Sequence, residues 1–309
     1  MDVAHTPVLL EETLSLLAPR SSGEVMCDAT LGEAGHTEAF LERFPDLQII
    51  GIDADESIQE IAKKRLERFG ARARFYRGRS QDFFAQLAKP QAPLMRFEIE
   101  KFDIVFIDLG VSLYHYAQSG RGFSFAKDEP LDMRIDPSEG QTAADIIARL
   151  PEKELAGLLY NNAEERYSRR IARAIVEARA REPIATSKRL ADIAARSAPP
   201  HYRYGATHPA TKTFQALRIE VNGELSGLRP LLESAWSALR NRGRLGVISF
   251  HSLESRAVKN YFRELAKNGS GRLVTKKAVA PSLEEIRANA PSRSALLRVV
   301  EKMGTSESD

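Results

Sequence analysis

The first 110 residues alternate between short apolar runs and stretches whose apolar residues recur with helical spacing. The apolar runs predict four buried strands, at Val25–Asp28, Leu47–Asp53, Arg72–Tyr76 and Phe102–Leu109. Helices are predicted between the first three strands, at His36–Phe44 and Glu56–Phe69. Strands that alternate with helices form a parallel sheet with right-handed crossovers, and helices cover both faces of that sheet. The sequence therefore predicts an α/β domain.

The alternation stops at this point, and no comparable strand is predicted between Val111 and about Ala210. A loop rich in glycine and proline, Ser119–Pro137, is followed by four predicted helices, around Ala143–Ile147, Glu152–Tyr160, Arg166–Arg181 and Ser187–Ser197. A helix at Asn222–Leu239 and three strands are predicted after them, the strands at Arg244–Phe250, Leu273–Lys276 and Leu296–Val300. We therefore expect a sheet domain of residues 1–112 and 212–309, interrupted by a helical insertion at residues 113–211. The tail Gly304–Asp309 is predicted to be disordered.

The composition is that of an ordinary globular protein, with 43% hydrophobic and 28% charged residues in a chain of 309. Each apolar run is shorter than the roughly 18 residues that a membrane-spanning helix needs. No basic region followed by an apolar stretch occurs at the start, so no secretory signal is predicted. The single cysteine, Cys27, rules out an intramolecular disulfide and a multi-cysteine zinc site. These features predict a cytoplasmic enzyme or binding protein without a metal or a membrane partner.

The net charge of +3 conceals a strong segregation of charge along the chain. Residues 1–60 hold thirteen acidic and two basic residues, a net charge of −11, whereas residues 161–220 hold twelve basic and six acidic ones, a net of +6. Residues 238–280 hold ten basic and two acidic residues, a net of +8. An acidic region of this kind can accept a cation, and the basic regions can bind a polyanion. Solvated faces that differ in sign remain the alternative.

The ends of the first two predicted strands form a candidate nucleoside site, because ligands of open α/β sheets bind beyond the carboxyl ends of the strands. The turn Gly32–Gly35 permits close backbone approach, and Asp53 could accept both hydroxyl protons of a ribose. A dinucleotide would bring a pyrophosphate, yet this turn carries Glu33 and lacks the third glycine of the dinucleotide fingerprint. S-adenosylmethionine brings a sulfonium cation and no phosphate, so the acidic region favours a methyltransferase over a dehydrogenase. A simple strand-to-helix turn is the alternative.

Longer motifs are spread over nearly the whole chain. They are His5-Thr-Pro-Val-Leu-Leu10, Asp28-Ala-Thr-Leu-Gly-Glu-Ala-Gly-His36, Asp108-Leu-Gly-Val-Ser112, Arg121-Gly-Phe-Ser-Phe125, Leu131-Asp-Met-Arg-Ile-Asp-Pro137, Glu164-Glu-Arg166, Arg169-Arg-Ile-Ala-Arg-Ala-Ile175, His208-Pro-Ala-Thr-Lys-Thr-Phe-Gln-Ala-Leu-Arg218, Ile248-Ser-Phe-His-Ser-Leu-Glu254 and Ser292-Arg-Ser294. With them the sequence closely resembles the ribosomal small-subunit methyltransferase H family, also called MraW.

The resemblance implies a Rossmann-like class I S-adenosylmethionine-dependent methyltransferase sheet with an inserted all-helical domain. It also implies methylation of the N4 amine of a cytosine in 16S rRNA, the family's site being cytosine 1402 in the decoding region. The expected partner is 16S rRNA within the small ribosomal subunit, with no DNA. The insertion at residues 113–211 would then recognise RNA.

The resemblance assigns S-adenosylmethionine to residues at the strand ends. The backbone of Ala34, Gly35 and His36 would line it, Asp53 would hold its ribose, and Asp108 and His115 would close the site.

Three of these positions depart from the family pattern. Ser80 stands where the family has an adenine-stacking phenylalanine, so Phe83 or Phe84 could have taken over that contact. Ala34 replaces the first glycine of a Gly-Gly-His motif, and His115 replaces a glutamine that many relatives have. We expect both replacements to keep the original role.

A row of arginines is the candidate RNA contact. On a helix from Glu165 to Arg181, four of them recur at i, i+3, i+4 and i+7 and would share one face, namely Arg166, Arg169, Arg170 and Arg173. Tyr202 and Tyr204 could stack unpaired bases nearby. The alternative is a solvated face that is crossed by the pairs Glu165–Arg169 and Arg173–Glu177.

The sequence leaves the proton acceptor of the reaction open. Asp108 and the carbonyls of Leu109–Val111 are candidates for holding the amine, and His251 and Asp132 are further candidates to which no role is assigned. Three other functions are alternatives: a nicotinamide-dependent dehydrogenase, an RNA-binding assembly factor without activity, and a DNA amino-methyltransferase. The last is disfavoured because the strand end reads Asp108-Leu-Gly-Val and lacks a Pro-Pro segment.

Overall fold

The computed structural model describes residues 6–87, 99–205 and 207–304, and the chain divides into two compact units. The sheet unit comprises Met1–Gly110 and Gly227–Asp309, and the helical unit comprises Val111–Ser226. The second boundary thus lies at 226/227, whereas the sequence analysis placed it at 211/212. The predicted tail Gly304–Asp309 lies outside the described residues from 305 onward, as does His5.

The sheet unit is built on one seven-stranded sheet in the order β3-β2-β1-β4-β5-β7-β6. The strands are β1 (Val25–Asp28), β2 (Gln48–Asp53), β3 (Ala73–Arg77), β4 (Phe102–Asp108), β5 (Leu239–Ser249), β6 (Gly271–Leu273) and β7 (Leu296–Lys302). β1 to β5 pair in parallel, and β7 is antiparallel to both β5 and β6. The first four strands lie within one residue of their predicted limits.

Fourteen helices are described in the two units. They are α1 (Leu10–Leu16), α2 (Gly35–Arg43), α3 (Glu56–Leu66), α4 (Ser80–Leu87), α5 (Leu113–Ala117), α6 (Ala143–Arg149), α7 (Glu152–Ala163), α8 (Ser168–Arg179), α9 (Ser187–Ser197), α10 (Pro200–Arg203), α11 (Thr211–Asn222), α12 (Leu228–Ser237), α13 (Ser252–Lys267) and α14 (Leu283–Ala288). Short 3₁₀ segments occupy Glu67–Arg72 and Ala290–Ser294. None of the helices described here is long and apolar enough to cross a membrane.

The sheet is buried on both faces, which explains why its central strands are apolar without interruption. From Ile104 onward, successive residues of β4 alternate between two clusters, with Val105 and Ile107 in one and Ile104 and Phe106 in the other. The first cluster also takes residues from α4, α12 and α13, and the second takes residues from α1, α2 and α3. Acidic residues are therefore tolerated in these strands chiefly at their ends, where the ligand edge of the sheet lies.

The helical unit has its own core, to which α6, α7, α8, α9 and α11 contribute. The end of α11 is tied to the loop before α6, because the Asn222 side-chain amide donates to the Met133 carbonyl (2.8 Å) and its oxygen accepts from the Ile135 N–H (2.9 Å). Residues 211–222 therefore belong with the helical unit. Together the sheet and the helical unit confirm the predicted fold class, a Rossmann-like α/β sheet with an inserted all-helical unit.

The predicted helix Asn222–Leu239 is wrong at its start. Gly223 ends α11 with φ +63°, a left-handed conformation that glycine adopts without cost, and α12 begins only at Leu228. The strand that follows starts at Leu239 rather than Arg244, and the last short strands are Gly271–Leu273 and Leu296–Lys302.

Candidate functional site

Three carboxylates lie at the carboxyl ends of neighbouring parallel strands. Asp28 ends β1, Asp53 ends β2 and Asp108 ends β4, and β1 lies between the other two strands. Asp28 pairs in register with Gly51 on one side and Phe106 on the other. We call this region the acidic edge; it is defined by Asp28, Asp53, Asp108 and the nearby Glu254.

The turn between β1 and α2 is held against β2 by Asp53. One carboxylate oxygen of Asp53 accepts a hydrogen bond from the Gly32 N–H (2.9 Å), and the other accepts from the Asp55 N–H (2.8 Å). Both bonds use backbone donors, and together they orient the carboxylate. This arrangement fixes the side chain that was predicted to hold a ribose.

Ala34 caps α2 in a left-handed conformation, with φ +63° and ψ +25°. This conformation costs an L-residue with a Cβ roughly 1–2 kcal/mol, whereas glycine adopts it freely. The next residue, Gly35, is sterically required, because a Cβ there would lie 2.6 Å from Pro7 Cγ. The turn therefore has a backbone suited to two glycines, and this chain carries one of them.

The N-terminal segment, residues 6–9, is anchored from several directions. The Leu9 N–H donates to the Glu285 carboxylate (2.7 Å), and the Asn289 side chain donates to the Thr6 carbonyl (2.9 Å). The Val8 carbonyl bonds to His36 Nε2 (2.9 Å). Residues near α14 thus hold the segment that packs on the turn.

Asp28 is 1% exposed and its carboxylate is fully engaged. The Thr37 hydroxyl donates to one oxygen (2.6 Å) and the Thr30 N–H donates to the other (3.2 Å). Burial raises the pKa of Asp28 to about 6, against these hydrogen bonds, and the negative charge of Asp53 adds to the rise. The sequence analysis gave Asp28 no role, although it ends a buried strand as Asp53 does.

The carboxylate of Asp108 lies near two other negatively charged groups. Burial raises its pKa well above the ordinary range, and the negative charges of Asp28 and Glu254 raise it further. Oδ1 of Asp108 is buried and has no hydrogen-bond partner among the residues that the structure describes, whereas Oδ2 lies 3.7 Å from His36 Nδ1. The Asp108 N–H donates to the Thr30 hydroxyl (2.6 Å), which fixes the strand end.

The adenine-stacking hypothesis for Phe83 and Phe84 is wrong. Both rings are buried, at 0% and 3% exposure, and they pack against Phe102 in the sheet core. Neither ring has a face that a ligand could reach. Ser80, the first residue of α4, instead donates its hydroxyl to the Ala29 carbonyl at the end of β1, so it lies at the acidic edge without offering an aromatic surface.

His251 and Glu254 form the N-terminal cap of α13. The Glu254 carboxylate accepts from the Phe250 N–H (2.9 Å) and the His251 N–H (3.3 Å), and His251 Nε2 lies 3.1 Å from its other oxygen. A capping role therefore accounts for His251. Glu254, which is 2% exposed and adds negative charge near Asp108, was missed by the sequence analysis.

Two further candidates lie in the helical unit. His115 is on α5, 3% exposed, with its ring centroid 5.0 Å from that of Phe123, and its assignment to the cofactor site stays a prediction. Asp132 forms a two-pronged ion pair with Arg134, with both N–O distances 2.8 Å. Burial would raise the pKa of Asp132, but the hydrogen bonds and charge of Arg134 lower it, so Asp132 is a structural partner of Arg134.

The arginine row is shorter than predicted. α8 begins at Ser168, so Arg166 lies in the preceding turn, while Arg169, Arg170 and Arg173 are exposed on the helix. Of the two predicted pairs, Arg173–Glu177 is present at 2.9 Å. Glu165 is instead buried, and its carboxylate accepts from the Tyr202 hydroxyl (2.9 Å) and the Tyr167 N–H (2.7 Å).

The two tyrosines that were predicted to stack bases therefore differ. Burial and the bond to Glu165 raise the pKa of Tyr202, and its ring packs on Tyr167 at a centroid distance of 4.9 Å. Tyr204 is 83% exposed and keeps a free aromatic face. Tyr202 is thus a structural residue, and Tyr204 remains a candidate for stacking.

Comparison with known sequences gives one consistent family. The profile of the MraW methylase family matches residues 2–303. A Treponema denticola protein named ribosomal RNA small subunit methyltransferase H is 53% identical over 323 aligned residues, and the match covers 100% of both chains. Proteins of the same name from Treponema pallidum and Kosmotoga olearia are 41% and 43% identical, and the matches cover 97% of this chain and 93% and 98% of theirs.

Solved structures give more distant matches. An rRNA methylase from Streptococcus thermophilus is 13% identical with a TM-score of 0.43, and the match covers 97% of this chain and 100% of that one. A putative methyltransferase from Streptococcus mutans in complex with SAH is 12% identical with a TM-score of 0.44, at the same coverage.

Proposed function

The chain belongs to the MraW methylase family, and from this premise we propose that it transfers the methyl group of S-adenosylmethionine to the N4 amine of a cytosine in 16S rRNA. The cytosine is the one numbered 1402, in the decoding region. The substrate is 16S rRNA in the small ribosomal subunit, and the reaction takes place in the cytoplasm without a membrane or DNA partner. The relatives' printed names support the rRNA substrate, and the choice of N4 and of this cytosine is the proposal's own.

The observation that carries the proposal is the acidic edge. A phosphate-bearing cofactor would be repelled by the ionised carboxylates of Asp28 and Asp53, whereas a sulfonium cation would be attracted by them. The buried Oδ1 of Asp108, which lacks a partner among the described residues, is a group that a cationic or hydrogen-bonding ligand would satisfy. The residues present therefore fit S-adenosylmethionine.

Two residues of the edge, Asp53 and Asp108, have a task in this reaction. Asp53 is oriented to accept the ribose hydroxyls, and the backbone from Ala34 to His36 lines the remainder of the nucleoside. Bound S-adenosylmethionine supplies an activated methyl group. Because the lone pair of the cytosine amine is delocalised into the ring, the site must hold the amine in line with that methyl, and such positioning supplies much of the rate enhancement. Asp108 is the hydrogen-bond acceptor that would hold the amine.

The helical unit supplies the RNA contact in this proposal. Arg169, Arg170 and Arg173 can follow a phosphate backbone, Arg166 adds charge in the preceding turn, and Tyr204 can stack an unpaired base. A target base must leave its stack before it reaches a buried site, which costs least in distorted or single-stranded RNA.

The test is the transfer of labelled methyl from S-adenosylmethionine to small subunits purified from cells that lack this protein, followed by nucleoside analysis. We expect N4-methylcytidine at one position. Asp53→Ala should lose cofactor affinity, whereas Asp46→Asn, an exposed acidic control, should not. Binding of S-adenosylmethionine without transfer to subunits or free 16S rRNA would refute the proposed substrate. Absence of S-adenosylmethionine binding would refute the proposed methyltransferase activity and leave an RNA-binding protein.

A further inference from the structure

The carboxylate of Asp108, at the end of β4, has a buried oxygen, Oδ1, without a hydrogen-bond partner among the described residues. The negative charges of Asp28, at the end of β1, and of Glu254, on α13, both raise its pKa. The other oxygen, Oδ2, lies 3.7 Å from Nδ1 of His36 on α2. That distance is too long for a direct hydrogen bond, so Asp108 is left with strong affinity for a proton or another cation.

The orientation of His36 follows from its second nitrogen. A backbone carbonyl can only accept, so Nε2, which lies 2.9 Å from the Val8 carbonyl, carries the hydrogen. Nδ1 of the neutral ring therefore presents a lone pair toward Asp108. The Phe106 ring packs against the imidazole in an edge-on arrangement, with the two ring centroids 4.8 Å apart. His36 thus lies beside Asp108 with its own ring held by the Val8 carbonyl.

We propose that Asp108 is the proton acceptor of the methyl transfer, and that the disappearance of the sulfonium charge is what makes it accept. This inference rests on the proposed function. Before transfer, the cation of the methyl donor stabilises ionised Asp108. In the step, the amine nitrogen forms a bond to the methyl carbon, the carbon–sulfur bond breaks and its electron pair stays on sulfur.

The balance of the step is complete with groups already named. The product sulfur is neutral, and the methylated amine has lost one proton. Asp108, which again faces Asp28 and Glu254 without a compensating cation, takes that proton and becomes neutral. The proton would leave Asp108 when the next S-adenosylmethionine binds.

The inference predicts a difference between two ligands that differ by one methyl group and one charge. Binding of S-adenosylmethionine should displace the proton of Asp108, whereas binding of S-adenosylhomocysteine should leave it in place. We would measure both by titration calorimetry near neutral pH in two buffers of different ionisation enthalpy, without RNA. We expect up to one proton released per S-adenosylmethionine bound and close to none for S-adenosylhomocysteine.

The affinity ratio gives a second readout. Where Asp108 is protonated in the free protein, the affinity for S-adenosylmethionine relative to S-adenosylhomocysteine should rise up to tenfold per pH unit. Asp108→Asn should flatten this ratio, and Asp46→Asn should leave it unchanged. Equal proton release for both ligands in the wild-type protein would overturn the inference without any variant. The measurement is independent of rRNA, so a failure of subunit methylation would refute the proposed substrate and leave this result standing.

Discussion

Replacing Asp28 by Asn should remove a pH-dependent loss of stability from this protein. The pKa of Asp28 rises from 3.8 to about 6 in the folded chain, chiefly through burial. The folded state therefore holds this proton more tightly than the unfolded state does. The free energy of unfolding contributed by Asp28 is highest below pH 4, falls as the pH rises from about 4 to about 6, and is constant above that.

The magnitude follows from the size of the shift. One pKa unit corresponds to about 1.4 kcal/mol, so a rise from 3.8 to about 6 costs about 3 kcal/mol when Asp28 ionises. Asn is nearly isosteric with Asp. It can also keep both contacts, because its carbonyl can accept from the Thr30 N–H and its amide can donate to the Thr37 hydroxyl. Relative to the wild type, Asp28→Asn should thus gain up to about 3 kcal/mol between pH 4 and pH 7.

The assay is urea unfolding of both proteins at a series of pH values from 4 to 7, without cofactor. The quantity of interest is the difference between the two unfolding free energies, because titrating groups that do not interact with Asp28 cancel in it. Asp46→Asn, at an exposed carboxylate that accepts from Ser22, should show a difference near zero throughout. A difference for Asp28→Asn that stays constant over this range would refute the argument.

Three further predictions follow from the turn, the core and the arginine row. Ala34→Gly should stabilise the protein by about 0.5–1 kcal/mol in the same assay, because glycine adopts the left-handed conformation of this position without strain. Ala39→Gly within α2 is the control and should destabilise the protein by about 1 kcal/mol. A loss of stability at both positions would contradict the conformation of Ala34. Phe83→Leu should cost about 1 kcal/mol of stability and leave the Kd for S-adenosylmethionine unchanged, and a tenfold weaker Kd would restore a stacking role. Replacing Arg169, Arg170 and Arg173 by Gln should reduce the slope of log affinity for RNA against log salt concentration by about 0.7 for each phosphate that is no longer neutralised. Replacing them by Lys should preserve the slope. Equal slopes for the Gln variant and the wild type would favour a solvated face.

The strand ends of the first half were predictable because burial on both faces leaves an uninterrupted apolar run that stops at an acidic residue. α13 was not predicted, although Val258, Tyr261, Phe262 and Leu265 recur at helical spacing and bury one face. Its start is set by the cap that His251 and Glu254 form, and the sequence analysis considered His251 only for chemistry.

Other features of the site depend on tertiary packing that no local pattern contains. Phe83 and Phe84 occur near a helix start, close to Ser80, where adenine stacking was expected from the resemblance, and only the packing on Phe102 shows that they are buried. The proton affinity of Asp108 likewise depends on Asp28 and Glu254, which are distant in the chain. The backbone of Ala34 is left-handed although its side chain gives no sign of it.

The anchoring of the N-terminal segment has a consequence for synthesis of the chain. Pro7 and Val8 contact the turn that would line the cofactor, yet the groups that hold this segment, Glu285 and Asn289, lie about 280 positions further along the chain. A growing polypeptide can form β1 to β4 early, but the contacts that hold Thr6 and Leu9 form only after Glu285 and Asn289 have been synthesised. The turn therefore receives this support later than the strands that flank it.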